Sequence, residues 1–219
     1  PFAAMVPVDA DAADVMSALE ITQEMGLGFN IGNSLDSTGY GNYDDITSFE
    51  KSWGNPAVTK EMVDTIKAKG FDSVRLPPSW FRHVTKTTDE NGNPIYTIDS
   101  RWLERVKEVV DYAYQQGMYV ILNLHHEEWI NRSDFATAYE EMSPQLKQMW
   151  TQIATYFADY DQHLIFEGMN EPRAANSGAL EWNGNEACYE VVNKLDNDFI
   201  ETVRSVDSPY KDTRLLMIP

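Results

Sequence analysis

Short apolar runs alternate along this chain with longer stretches in which apolar residues recur every three or four positions. The runs are LGFNIGN (27–33), FDSVRLP (71–77), MYVILNLHH (118–126), HLIFEGMNE (163–171) and RLLMIP (214–219). Near-continuous hydrophobicity over so few residues predicts strands buried on both faces. Between them, residues 59–69 gather Met62, Val63 and Ile66 on one helical face, and residues 99–116 gather Leu103, Val106, Val109, Val110 and Ala113. Residues 143–160 do the same with Leu146, Met149, Ile153 and Phe157, and residues 186–206 with Val191, Leu195, Phe199 and Val203. Each pattern predicts an amphipathic helix. A further helix is expected over 11–25, starting near Asp11 or Asp14, within an N-terminal helical cap spanning 1–26. Gly70 and Gly117 stand just before strands, where a helix end calls for a left-handed residue.

This repeating unit predicts a parallel sheet covered by helices, either an open doubly wound sheet or a (β/α)8 barrel. Polar residues collect at the carboxyl ends of successive strands, at Asn30 and Asn33, Arg75, His125 and His126, and Asn170 and Glu171. Barrel enzymes hold their chemistry at that end. The segments that follow are long and aromatic, as active-site loops are. GLGFNIG lies within a strand at the wrong spacing for a dinucleotide fingerprint, which further favours the barrel.

Composition narrows the picture. Across 219 residues, 42% hydrophobic and 24% charged, one globular domain is expected, read as a partial catalytic barrel over 1–219. Seventeen basic against 35 acidic residues leave a net charge of −18, which argues against nucleic acid or an anionic membrane as a partner. No apolar run is long enough to span a bilayer, and the single Cys188 cannot form a disulfide within the chain. The small-residue start, PFAAMVPVDADAAD, reads as a processed or cloned beginning; the acidic balance is compatible with export, so a secreted protein is the expectation.

Glu171, at the tip of a buried strand and followed by Pro172, reads either as a solvated loop carboxylate or as a catalytic acid. Arg75 could seal a barrel rim or orient a carboxylate through a bidentate contact. His125 and His126 are neighbours on a strand, so their side chains should diverge. With no third ligand at a recognisable spacing, no metal and no cofactor are expected, and a hydrogen bond from His125 to a ligand hydroxyl is the better use. Trp53, Trp80, Trp129 and Trp182 all fall in strand-to-helix segments, where they could serve loop packing or together form an amphipathic platform for a ligand.

GFNIGNSLD, WGNP, GFDSVRLPPSW, YVILNLHHE and FEGMNEP, in that order, resemble glycoside hydrolase family 5 of the retaining clan A, in its endoglucanase and xyloglucanase branch. The resemblance runs from about Met25 to the last residue. It implies a (β/α)8 barrel that cleaves β-1,4-glucan, with Glu171 as acid/base, Asn170 beside it on the sugar, and Arg75 and His125 lining the cleavage subsite. Asn33, His126, Trp53 and Trp80 are the further candidates for contact with the polysaccharide.

Retaining hydrolysis needs a second carboxylate as nucleophile. The αβ units average about 47 residues, so eight would need roughly 375, and the sequence reaches only the fifth strand. The resemblance puts the nucleophilic Glu on the seventh. Glu127 and Glu128 are the nearest substitutes in the sequence, and neither is well placed to attack. Five strands of a barrel would leave open edges and an uncovered interior face, so association into a homodimer or higher homo-oligomer is expected. The segment alone is expected to be a weak or inactive glucanase, or a catalytically silent piece that binds β-glucan or only self-assembles.

Overall fold

The computed structural model describes residues 16–219. Five parallel strands form one sheet in the order β1 (Gly28–Asn30), β2 (Ser73–Leu76), β5 (Tyr119–Asn123), β6 (Leu164–Glu167) and β7 (Leu216–Met217). A separate antiparallel hairpin, β3 (Val84–Thr88) and β4 (Pro94–Ile98), is inserted after β2. The helices are α1 (Ala18–Glu24), α2 (Lys60–Ala68), α3 (Ser100–Tyr114), α4 (Tyr139–Tyr156), the short α5 (Ala179–Asn183) and α6 (Glu186–Ser205). Strand order follows chain order, as successive right-handed βα units wound into a barrel wall require.

The helix starts carry side-chain caps where the sequence offers them. Thr59 accepts from Met62 N, Asp99 from Arg101 N and Asn185 from Cys188 N, each relieving an amide the first turn cannot satisfy. Gly70 and Gly117 end α2 and α3 at φ +91° and +68°. The first helix differs from expectation. It is capped by Ser17 in a reciprocal capping box with Glu20, whereas Asp11 and Asp14 lie outside the described residues. Helix α4 begins four residues early, at Tyr139, and accommodates Pro144 within its second turn.

The sheet has two different faces. Val74, Leu76, Val120, Leu122, Leu164 and Phe166 point toward α3, α4 and α6 and belong to the main core. On the opposite face Tyr119 and Ile165 pack with Ile21 of α1, and Ile121 and Leu215 border them. Alternation along each strand separates the sets. That second face is the barrel interior, with α1 at its lower end and the polar side chains at the upper end. Among the described residues the outermost strands have no further partner: β1 is exposed throughout, with Phe29 at 42%, and Ile218 beside β7 is 52% exposed.

The hairpin was not legible as strands. Asp89 closes its turn, accepting from the amides of Asn91 and Asn93, while Gln148 and Gln152 of α4 accept from Tyr96 N and Ile98 N and so cover the free edge of β4.

Candidate active site

Strand pairing stops at Asn30, Leu76, Asn123 and Glu167, short of the expected ends. Asn33, His125, His126, Asn170 and Glu171 therefore stand on backbone leaving the sheet, in three loops that are tied together. Ser79 N donates to Leu35 O at 3.0 Å and His125 N to Pro78 O at 3.1 Å. The Ser79 hydroxyl donates to Asp36 O at 3.0 Å and accepts from His126 N at 3.2 Å, so one side chain fixes the loops after β1 and β5. Asn170 N donates to Leu124 O at 2.9 Å and brings in the loop after β6.

Arg75 is the centre of the polar layer. Its Nε and Nη2 each donate at 2.7 Å to the two oxygens of Glu167, reaching over β5 to β6 in a fork geometry, and Nη2 also donates to Asn170 Oδ1 at 2.9 Å. The orienting role expected of Arg75 is therefore directed at Glu167 and Asn170. Glu171 lies apart from it. Its side chain is 65% exposed and meets Arg173 Nη1 at 3.1 Å. The backbone of Glu171 is left-handed, at φ +47°, uncommon for a residue with a Cβ and often found where a site over-determines the chain. Asn33 is also left-handed, at φ +58°, and exposed, a conformation asparagine tolerates.

Burial holds His125 neutral, lowering its pKa to about 3, with the neighbouring His126 and Arg75 adding to the effect; His126 is lowered as well, chiefly by burial. His125 Nδ1 lies 3.2 Å from Asn123 Nδ2, and its Nε2 is 4.0 Å from Asp36 Oδ2. The Trp53 ring is 45% exposed with its centroid 5.6 Å from that of His126, and the two line an open groove of about 320 Å³ with Thr38, Glu128 and Asn131. Trp182 is 73% exposed under the Arg173 guanidinium, 5.1 Å from the ring centroid.

Trp80 corrects the sequence reading. It is wholly buried, its indole donating to Asn123 O at 2.9 Å, so no sugar can lie against it. Glu127 is likewise closed off. Its oxygens accept from Trp80 N and Trp129 Nε1, both at 2.6 Å, and burial pushes its carboxyl up to about 8 against those donors. It fastens the loop after β2 to the loop after β5 and cannot reach an anomeric carbon. Sequence reasoning missed Glu167 and Asp36. A carboxylate inside the apolar run HLIFEG was the available signal for Glu167, since a charge there needs a partner; nothing in the sequence marked Asp36.

A parallel sheet wound in chain order, with its polar chemistry gathered beyond the strand ends, defines the chain as part of a (β/α)8-barrel enzyme fold. The family follows from comparison: the cellulase model of glycosyl hydrolase family 5 matches residues 35–219, and the chain belongs to that family. It is 51% identical to a GH5-4 broad specificity endoglucanase from Ruminococcus flavefaciens, covering 93% of this chain and 56% of that one with a TM-score of 0.81. A second endoglucanase of that type, from Ruminococcus champanellensis with bound cellotriose, is 40% identical with a TM-score of 0.82 over 94% of this chain and 57% of that one. Endoglucanase A of Ruminococcus albus is 44% identical over 206 residues, 92% of this chain and 52% of the relative. The chain thus spans about half the length of the relatives it matches, consistent with five strands of an eight-stranded barrel.

Proposed function

We propose that this chain carries the acid/base side of a retaining endo-β-1,4-glucanase site acting on β-glucan outside the cell. Glu171 is the proton donor, Asn170 and His125 bind the sugar in the cleavage subsite, and Trp53 with His126 forms part of the groove wall, with Asn33 at its rim. The observation that carries this reading is the clamp of Arg75 on both Glu167 and Asn170, which fixes the residue next to Glu171 at the top of the barrel interior. The names of the relatives, endoglucanases and one with bound cellotriose, support the substrate class.

The nucleophile in this reading belongs to the seventh strand of a complete barrel, which is not among the five barrel strands of the described residues, β7 being the fifth of these. Without it, one member of a catalytic unit is missing, and such a loss costs several orders of magnitude in rate. Exposed Phe29 and Ile218 at the two ends of the sheet favour association through the open edges, as a homodimer or larger homo-oligomer. Sedimentation is expected to give a mass above the 25.0 kDa of one chain; a folded, monodisperse monomer refutes association. Reducing-sugar release from carboxymethylcellulose tests the chemistry. Weak or absent turnover is expected, with any residual activity lost in Glu171→Gln. Hydrolysis that survives this substitution overturns the role of Glu171. Binding of cello-oligosaccharides without turnover would support the second reading, a catalytically silent half-barrel, favoured by the exposed rings of Trp53 and Trp182.

A further inference from the structure

His125 and His126 were expected to diverge because neighbouring strand residues point to opposite faces. The ladder, however, ends at Asn123, and past it the two rings turn toward each other, with centroids 4.5 Å apart and planes at 70°. The third group comes from far away in sequence. Asp36, buried in the loop after β1, places a carboxylate oxygen so that one ligand atom from each of Asp36, His125 and His126 lies within 4.8 Å of the others. We propose that these three residues bind a late first-row divalent cation of the Zn²⁺ or Co²⁺ kind.

The donor set fits that class. Two imidazoles and one carboxylate suit late first-row ions, and three protein ligands leave a fourth position for water. Tetrahedral coordination with bonds of about 2.1 Å needs ligand atoms about 3.4 Å apart. Asp36 Oδ2 and His125 Nε2 are at 4.0 Å and the separations to the His126 ligand atom are within 4.8 Å, so closure calls for side-chain rotations that draw the three groups together. The backbone is already fixed, because the Ser79 hydroxyl holds Asp36 O and His126 N together. Asp36 Oδ1 accepts from Ser34 N at 2.7 Å, which orients the carboxylate and leaves Oδ2 for the ion.

A second, independent observation lies behind His125. Asn123 is fully buried; its Nδ2 faces His125 Nδ1 at 3.2 Å, while its Oδ1 has no partner. In this arrangement Nδ1 accepts and Nε2 keeps the proton, which suits donation to a hydroxyl. Turning the amide over is isosteric and exchanges which of its two atoms is unpartnered. It sets Oδ1 against an Nδ1–H, puts Nδ2 in the place without a partner, and leaves the Nε2 lone pair facing Asp36, the outer-shell contact that metal-bound histidines make. One amide rotation thus converts His125 from hydrogen-bond donor to ligand. The proposal concerns binding alone and does not rest on the glucanase reading.

Titration calorimetry of the metal-free 219-residue chain with ZnCl₂ tests it, together with Co²⁺ titration followed by visible absorption and by quenching of tryptophan emission, since Trp53 lies beside His126. One saturable site of micromolar affinity is expected, with the intense absorption of four-coordinate Co²⁺. His126→Gln and Asp36→Asn should each weaken binding at least about tenfold, and His163→Gln, immediately before β6, should leave it unchanged. Circular dichroism melting checks the fold of each variant. His126 is half-buried and bonded through its backbone, so His126→Gln and His126→Ala decide the matter even if Asp36→Asn misfolds. Absence of saturable binding at millimolar Zn²⁺, or unchanged affinity in the His126 variants, overturns the proposal.

Discussion

Glu127 gives the sharpest test of the physical account. A carboxyl almost wholly withdrawn from solvent is penalised when ionised, and burial here outweighs the donors from Trp80 N and Trp129 Nε1, pushing the pKa from 4.5 to about 8. The folded state therefore holds a proton on Glu127 that the unfolded chain releases near pH 4.5. Stability from this group is greatest below the unfolded value and declines as pH rises toward the folded one. At about 1.4 kcal/mol per pH unit, the loss accumulated by pH 8 reaches roughly 4–5 kcal/mol, an upper figure because local relaxation lets water reach the group.

The assay is urea unfolding of the wild type and Glu127→Gln at intervals from pH 4.5 to 8.5. Glutamine keeps an acceptor oxygen and cannot ionise. Subtracting the two curves removes the other titrating groups, including Asp196, which burial raises to about 6. The wild type should lose stability relative to the variant across this window, with unchanged urea dependence. Parallel curves, or a wild type that gains on the variant as pH rises, would show that the two indole-bearing residues hold the carboxylate ionised, and the burial argument would fail.

Two further outcomes follow from the packing. Arg105 donates to both oxygens of Glu50, whose side chain has no exposed surface; Arg105→Met should cost about 3–5 kcal/mol in urea unfolding by stranding that carboxylate, and a loss under about 1 kcal/mol would contradict the pairing. Trp80→Ala should cost about 3–5 kcal/mol as a core cavity, whereas Trp53→Ala should move stability by no more than about 0.5 kcal/mol and weaken cello-oligosaccharide binding several-fold by calorimetry; the reverse pattern would restore Trp80 to the groove.

Architecture was legible because the period of each segment was unambiguous, yet the strands were read too long. Leu124 and Met169 lie beyond the ladder and remain fully buried under the loops, so hydrophobicity continues after hydrogen bonding stops. The β3–β4 hairpin escaped notice because its exposed face is Thr and Lys, and polar alternation beside a Gly-Asn turn resembles a loop. Trp80 and Trp53 carry the same sequence signal, an aromatic shortly past a strand; only the three-dimensional path shows that one fills the core and the other faces the groove. Arg75 was visible as a strand-end cation, but its partner was hidden in an apolar run on a strand two places away.

The polar layer divides into a part that is held and a part that is not. Arg75, Glu167 and Asn170 are locked by three charge-assisted hydrogen bonds, and His125 is fixed by its neighbours. Glu171, one residue past Asn170, is exposed and paired with Arg173, itself only partly exposed. A proton donor works when water is excluded and its orientation set; if Glu171 is the proposed donor, the left-handed turn would orient it, and the described residues leave its side chain largely uncovered. In a closed barrel the strands beyond β7 would face Glu171 across the interior and supply that cover. The rigid platform of Arg75, Glu167 and Asn170 thus lies within the five described strands, and under the proposed reading the chemistry of Glu171 depends on what faces it, so weak activity is expected without any loss of fold.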